Sequence, residues 1–330
     1  MTGRVLRFVA PRRVRLDEVA LRDPAAGELL VRAEVSGISS GTEMLAYRGE
    51  VDPRLPLDEA LGALGGRFTY PFAYGYSAVG TVELSRGTIP EGSLVFAFHP
   101  HQDVFVVGEN DVVPVDGQNA RRATFLPLVE TALQVSLDAG PRLGDPVVVV
   151  GLGCVGILTA ALLLRAGAVV IGSEPLEARR EAAARLGIAA VWPNELAAAV
   201  DERTEGRGVP LLVEASGNPD ALAVSLRLLA PEGEALVCSW YGTRVARLPL
   251  GAEFHRRRLV IRSTQVSTIP SHLAGRWDRD RRRRAARALL EELPLDALPS
   301  REFPFEHAAD AYEALASGAP DLLHAMLRYR

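Results

Sequence analysis

The 330-residue chain contains no lysine; all 37 of its basic residues are arginine. That absence excludes Schiff-base chemistry, a pyridoxal-phosphate anchor and a P-loop lysine. Cysteine is almost as scarce. Cys154 and Cys238 are the two present, and neither has a partner at metal-ligand spacing, so no cysteine-rich zinc site and no disulfide framework can be assembled. Cys154 reads as a small residue fitting a helix start and Cys238 as a buried strand residue. A formal charge of −4 gives no basic surplus to attract nucleic acid or an anionic membrane. Long apolar runs are missing too, since the greasiest stretch, Gly156 to Gly172, is interrupted by Arg165 and too short to span a bilayer. The opening "MTGRVLRFVAPRRVRL" scatters charge through its length and does not read as a signal peptide, so a cytoplasmic protein is expected.

What is present is the balance of a globular protein long enough for two domains, with 48% hydrophobic and 24% charged residues. To about residue 125, short β-rich runs such as "ELLVRAEVSGI", "SAVGTVEL" and "SLVFAF" alternate with Gly, Pro and Asp turns, the pattern of an all-β barrel. From about 126 the rhythm becomes strand, helix, strand, helix: "PVVVVG", "CVGILTAALLLRAG", "AVVIGSE", "LEARREAAARLG". Nearly all-apolar strands between helices predict a parallel sheet covered on both faces. After about residue 295 the tail reads as strand, helix, strand, returning to the first domain. The arginine-rich stretch "RWDRDRRRRAAR", residues 276 to 287, spreads its charges around a helix and reads as a solvated or salt-bridged surface.

"VVVVGLGCVG" sets Gly151, Gly153 and Gly156 at G-x-G-x-x-G spacing after a buried strand and at a helix start, with Val155 in the same turn. Strand, turn, helix and second strand are all present, ending on Glu174, which makes this a dinucleotide site. The glycines permit the turn and the approach of a pyrophosphate to backbone N–H groups. Glu174 suits adenosine ribose hydroxyls and repels a 2′-phosphate, favouring NAD. Ser173, Arg179 and Arg180 keep NADP open.

The pieces "GISSGTE", "YGYSAVGTVE", "RLGDPVVVVGLGCVG" and "VEASGN", in that order, resemble the medium-chain dehydrogenase/reductase superfamily of alcohol dehydrogenases along essentially the whole chain. "SGISSGTE" followed by "GYSAVG" is most similar to the branch of hydroxyethyl bacteriochlorophyllide dehydrogenase, although the longer segment between the motifs argues against carrying over the pigment substrate. The resemblance implies an α/β protein: a GroES-like β-barrel catalytic domain from residues 1–125 and 296–330, and a Rossmann domain from 126–295. In zinc-dependent members a cysteine ligand stands where this chain has Ser40, and a Gly-His-Glu where it has Gly75, Tyr76 and Ser77. The cysteine lobe of a structural zinc is absent as well. No zinc is therefore expected.

Without that Lewis acid, protein donors must stabilise charge on the reacting oxygen. Tyr76 replaces a histidine ligand and could donate its phenolic proton. Thr42 falls at the family's proton-relay hydroxyl, with Ser40 assisting. Glu43 matches an acid that orients a ligand histidine in relatives, and here orients Tyr76 or acts directly. His99 matches a substrate-pocket position and is the candidate acid/base, His101 less so; a metal site from His99, His101 and Glu43 rests only on a weak "HPH" signal. Glu130, in the region of a third ligand, reads as a helix-capping or supporting carboxylate. Ser239, Trp240 and Gln265 match segments bordering the nicotinamide, and His324 a basic position near the pyrophosphate. The reading is a zinc-independent NAD(P)-dependent oxidoreductase acting on a secondary alcohol or ketone, a homodimer through an edge strand in "RRRLVIRSTQVS". The alternatives are an NADPH-dependent enoyl or quinone reductase and a nucleotide-binding redox sensor without turnover.

Overall fold

A computed structural model describes residues 1–329 apart from 116, 118 and 141. Its two compact units are Met1–Pro127 with Leu290–Arg330, and Leu128–Leu289.

The first unit is built around the strand Glu28–Ile38. Arg32 and Glu34 point to solvent between buried Val31, Ala33 and Val35, and from Val35 to Ile38 every residue is buried, so the strand passes from a half-covered to a fully covered position. It pairs antiparallel with Val104–Gly108 over its first half, with His324–Arg328 over its second, and with Ala78–Ser85 along most of its length. Gly80 is required where it crosses Ala78–Ser85, since a Cβ there would sit 2.2 Å from the Arg32 carbonyl oxygen. The full sheet has seven strands, the returning strands Ser300–Pro304 and His324–Arg328 among them, the latter two parallel and joined through helix Ala308–Ala316. A second sheet of Arg13–Ala20, Thr2–Ala10 and Phe72–Ala73 closes over the core. There Phe8 stacks on Phe72 at 5.2 Å, and the Tyr312 ring meets Phe8 edge-on at 5.4 Å.

The second unit is a six-stranded parallel sheet, as "PVVVVG" and its successors predict. Its order is Ala189–Val191, Val169–Ser173, Pro146–Val150, Val209–Glu214, Leu229–Val237 and Val260–Ser263. Val147 to Val150 are buried on both faces and need helices above and below; the helix Cys154–Arg165 supplies one cover, exposing little but its last turn. Numbered along the unit the order is 3-2-1-4-5-6, and it reverses between Pro146–Val150 and Val209–Glu214. A doubly wound sheet binds ligands at that reversal. The α/β class, with a β-rich part followed by a doubly wound sheet, agrees with the reading of the sequence.

The arginine-rich stretch differs from its sequence reading at one position. In helix Arg279–Glu292, Arg282 is 2% exposed. Ala286 and Leu290, four and eight residues on, share its face and are fully buried, so the helix packs by that stripe and carries Arg282 inward. Glu130 meets it: Arg282 donates from Nε to Glu130 Oε1 at 3.0 Å, and its other nitrogens donate to Gln134 and the Val266 carbonyl. Glu130 is thus neither a cap nor a ligand but the counter-charge of a buried arginine. No helix among the described residues is long and apolar enough to cross a membrane.

Removing one partner of a buried pair leaves the other uncompensated. Arg282→Ala should lower unfolding stability by about 3–5 kcal/mol in guanidinium denaturation followed by circular dichroism, and the double change Arg282→Met with Glu130→Leu should recover most of it.

Candidate functional site

The strand Glu28–Ile38 ends in a turn, and helix Thr42–Arg48 begins directly after it with Gly41 at its N-cap and no side-chain cap. Glu43, in the helix's first turn, reaches back instead, and its Oε1 accepts the Ser39 backbone N–H at 2.8 Å. This fixes three hydroxyls around one bend. Ser40 is exposed, Thr42 partly exposed and Ser39 buried.

Tyr76 comes to this bend from the segment before Ala78–Ser85. Burial, followed by the Glu43 charge, pushes its phenol up to about 12, against the smaller downward pull of the nearby Ser39 and Thr42 side chains. The phenol is therefore a proton donor throughout the physiological range. Its ring packs edge-on against Tyr74 at 6.1 Å. Sequence reasoning named Tyr76, Thr42 and Ser40; it missed Ser39, although Ser39 and Ser40 differ by one place in the same motif.

Glu43 does not orient Tyr76 by a direct bond. Its carboxylate, 0% exposed, accepts from Tyr312 Oη at 2.6 Å and meets His101 Nε2 at 2.9 Å, both on Oε2. His101, also 0% exposed, meets Ser36 Oγ through Nδ1 at 2.7 Å, and Ser36 Oγ meets Tyr329 Oη at 2.8 Å. Gly75, with φ +117°, makes room: a Cβ there would lie 2.7 Å from His101 Cδ2. The first unit thus brings Tyr76, Thr42, Glu43 and His101 together and sets His99 to a different task. The His99 ring stacks on Phe105 at 4.0 Å, its Nδ1 donates to the Pro100 carbonyl at 3.0 Å, and burial lowers its pKa to about 4. Its Nε2 lone pair is a weak base. His324 is 1% exposed, with Nε2 at 2.9 Å from Thr124 Oγ1, its ring against Phe125, and Nδ1 without a partner among the described residues; burial drives its pKa to about 3, which keeps it neutral. Gly37 leaves space for that ring, since a Cβ there would lie 2.8 Å from its Cε1.

In the second unit the glycine turn fits a dinucleotide on steric grounds. Gly151 has φ +88° and a Cβ would fall 2.4 Å from Ser216 Cα; at Gly156 a Cβ would fall 2.0 Å from the Gly151 carbonyl oxygen. Gly153 faces no protein atom within 4 Å, so its open side leaves the free N–H groups at the start of Cys154–Arg165 approachable, with Val155 in that first helical turn. Glu174 follows strand Val169–Ser173, its two oxygens accepting from Leu152 N at 2.9 Å and Leu176 N at 3.1 Å, each with a further lone pair. Arg179 lies 3.9 Å from the carboxylate, and its buried Nε has no partner among the described residues. Arg180 is committed elsewhere, to the Glu174 carbonyl and the face of Trp192. Ser239 Oγ accepts Gly217 N–H at 2.9 Å, and Gln265 accepts Ser267 N–H. Glu214, fully buried at the end of its strand, accepts from Ser216 and, at 2.6 Å, from Tyr241, tying the loops after two neighbouring strands together. Cys154 is buried in the turn, which pushes its thiol up to about 12 and leaves it unreactive. Among the described residues no three His, Cys, Asp or Glu side chains gather as a set of metal ligands.

Residues 154–279 match the model of the zinc-binding dehydrogenase family, a span confined to the second unit. Across 97% of the chain and 96% of the relative, the protein is 29% identical to 2-desacetyl-2-hydroxyethyl bacteriochlorophyllide A dehydrogenase of Cereibacter sphaeroides. It is 28% identical to D-guloside 3-dehydrogenase of Escherichia coli, over 82% of the chain and 83% of that protein. In fold it superposes on 2R,3R-butanediol dehydrogenase of Bacillus subtilis with a TM-score of 0.79 at 19% identity, covering 99% of each chain. The resemblance read from the motifs is thereby present in sequence and in fold.

His99 and His324 are held neutral in the folded chain, whereas an unfolded histidine titrates near ~6.5. Between that value and about 4 the unfolded state binds more protons, so stability should fall as pH falls through this window. In urea unfolding measured from pH 7 to 5, His324→Gln should flatten the slope by up to about 1.4 kcal/mol per pH unit.

Proposed function

We propose that this chain, related along its length to medium-chain dehydrogenases and built on their fold, is a zinc-independent NAD(P)-dependent oxidoreductase. Its reaction moves a hydride between the nicotinamide and the carbon of a small secondary alcohol or ketone. The observation that carries this reading is the Tyr76 phenol, kept protonated by burial and by the Glu43 charge and lying near Ser39 and Thr42, at the bend where the zinc-dependent pattern would need a cysteine and a histidine. A phenol kept protonated can donate to a carbonyl oxygen as charge develops there, which is the service a metal would otherwise provide. In the oxidative direction the alcohol passes its proton to Tyr76 as Tyr76 hands its own on, and Thr42, partly exposed, releases one proton to water, so the hydroxyls end as they began.

When bound, the nicotinamide supplies the hydride acceptor or donor. The second unit's contribution would be recognition: the glycine turn would offer backbone N–H groups to a pyrophosphate, and Glu174 and Arg179 would hold the adenosine ribose. A buried carboxylate beside that place disfavours a 2′-phosphate, which supports NAD as the preferred cofactor. Strand Val260–Ser263 is the sheet's edge with Val260 47% exposed, consistent with pairing of two copies there. Glu174 also counts against the NADPH-dependent enoyl or quinone reductase reading.

The test is turnover with NAD and a panel of secondary alcohols. Activity should survive exhaustive chelation, and Tyr76→Phe should lower kcat about 100-fold with little change in the KM for NAD. Activity lost to a chelator and restored by zinc would refute the reading.

A further inference from the structure

The buried chain from Tyr329 to Glu43 has a direction. Tyr329 is 6% exposed, and among the described residues its hydroxyl meets one partner, Ser36 Oγ. A buried O–H with one partner donates to it. Ser36 then has its own proton free for His101 Nδ1, at 2.7 Å. An imidazole that accepts at Nδ1 carries its proton on Nε2 and is neutral. That proton points at Glu43 Oε2, which Tyr312 also reaches, while Oε1 accepts from Ser39 N–H. Three donors converge on one carboxylate, and the Ser39 amide cannot reverse its role. Such a set stabilises the ionised form.

We propose that Tyr329, Ser36 and His101 form a one-way donor chain that keeps Glu43 ionised beside Tyr76, which makes His101 a positioning residue for the Tyr76 phenol. The anion holds the phenol protonated, and the same carboxylate fixes the bend beside it by accepting the Ser39 backbone N–H. The consequence for turnover rests on the role proposed above for Tyr76; the chain itself does not. Other ionisable groups face this network. Asp58, which accepts the Ala60 and Leu61 N–H groups, adds negative charge near Tyr76. Asp103 and Arg4, near Tyr329, are paired with each other at 2.8 Å. Tyr47 lies against Tyr312, and His99 is held neutral beside His101.

Two measurements on the full chain decide it. In 15N-histidine NMR at pH 7, His101 should appear as the neutral Nε2–H tautomer. Tyr329→Phe frees Ser36 to accept from Nδ1, and an imidazolium signal should then emerge at the same pH. With difluorotyrosine incorporated at position 76, Glu43→Gln should lower the ultraviolet titration midpoint of the phenol by about one pH unit or more. Tyr312→Phe, which takes a compensating O–H dipole off the still-ionised Glu43, should raise the midpoint by a smaller amount and serves if Glu43→Gln does not fold. An imidazolium at His101 in the unaltered chain at pH 7, or a midpoint unmoved in a folded variant, overturns the proposal. Should both results hold while Tyr76→Phe leaves turnover intact, the donor chain stands and the catalytic role of Tyr76 falls.

Discussion

A carboxylate with no solvent exposure sits at the end of the hub strand of the first unit, and the arrangement around it follows from the need to satisfy that charge. Glu43 has lost its water, and an ionised group so placed is tolerated only when donors replace the lost hydration. Its donors come from far apart in the chain: Ser39 from the preceding bend, His101 from beyond strand Leu94–Ala97, and Tyr312 from a helix near the C-terminus. The charge thereby ties the returning tail to the N-terminal strands by a polar contact, inside a core otherwise held by Phe8, Phe72 and their neighbours. The same contact sets the conformation of the bend that carries the hydroxyls. Stability and site geometry share one interaction here.

The first unit accommodates two buried histidine rings by omitting side chains opposite them. Gly75 clears His101 and Gly37 clears His324. Both glycines belong to the motifs that carry the resemblance to the dehydrogenases, yet their reason in this chain is steric and local. In the second unit the logic is the more familiar one, with Gly151 and Gly156 pressed against backbone and Gly153 left open for a ligand. The absence of lysine is felt in the second unit. Arginine provides the buried partner of Glu130 and the flat cation on Trp192, tasks that suit a planar fork with several donors.

What was legible in the sequence was whatever depends on neighbours along the chain. The all-valine strand and the glycine spacing after it specify a strand, a tight turn and a helix N-terminus by local sterics, so the glycine turn could be read residue by residue. The hydroxyl bend was legible for the same reason, because Ser40, Thr42 and Glu43 follow one another at the end of a strand.

The partners of Glu43 were not legible. His101 is 58 residues away and Tyr312 is 269, and no periodicity links them. The sequence therefore weighted His99 above His101, and only the fold put His99 flat on Phe105 and His101 onto the carboxylate. Arg282 was hidden similarly: within a run of arginines each looks solvated, and it is the buried stripe of Ala286 and Leu290 that turns this one inward. By itself the sequence determined the class of fold, the glycine turn and the residue types at the bend, because these follow from backbone sterics and burial along short segments. Tertiary structure decided which charge meets which donor, because a buried ion is matched by whatever groups the folded chain brings within hydrogen-bonding distance, regardless of their separation along it.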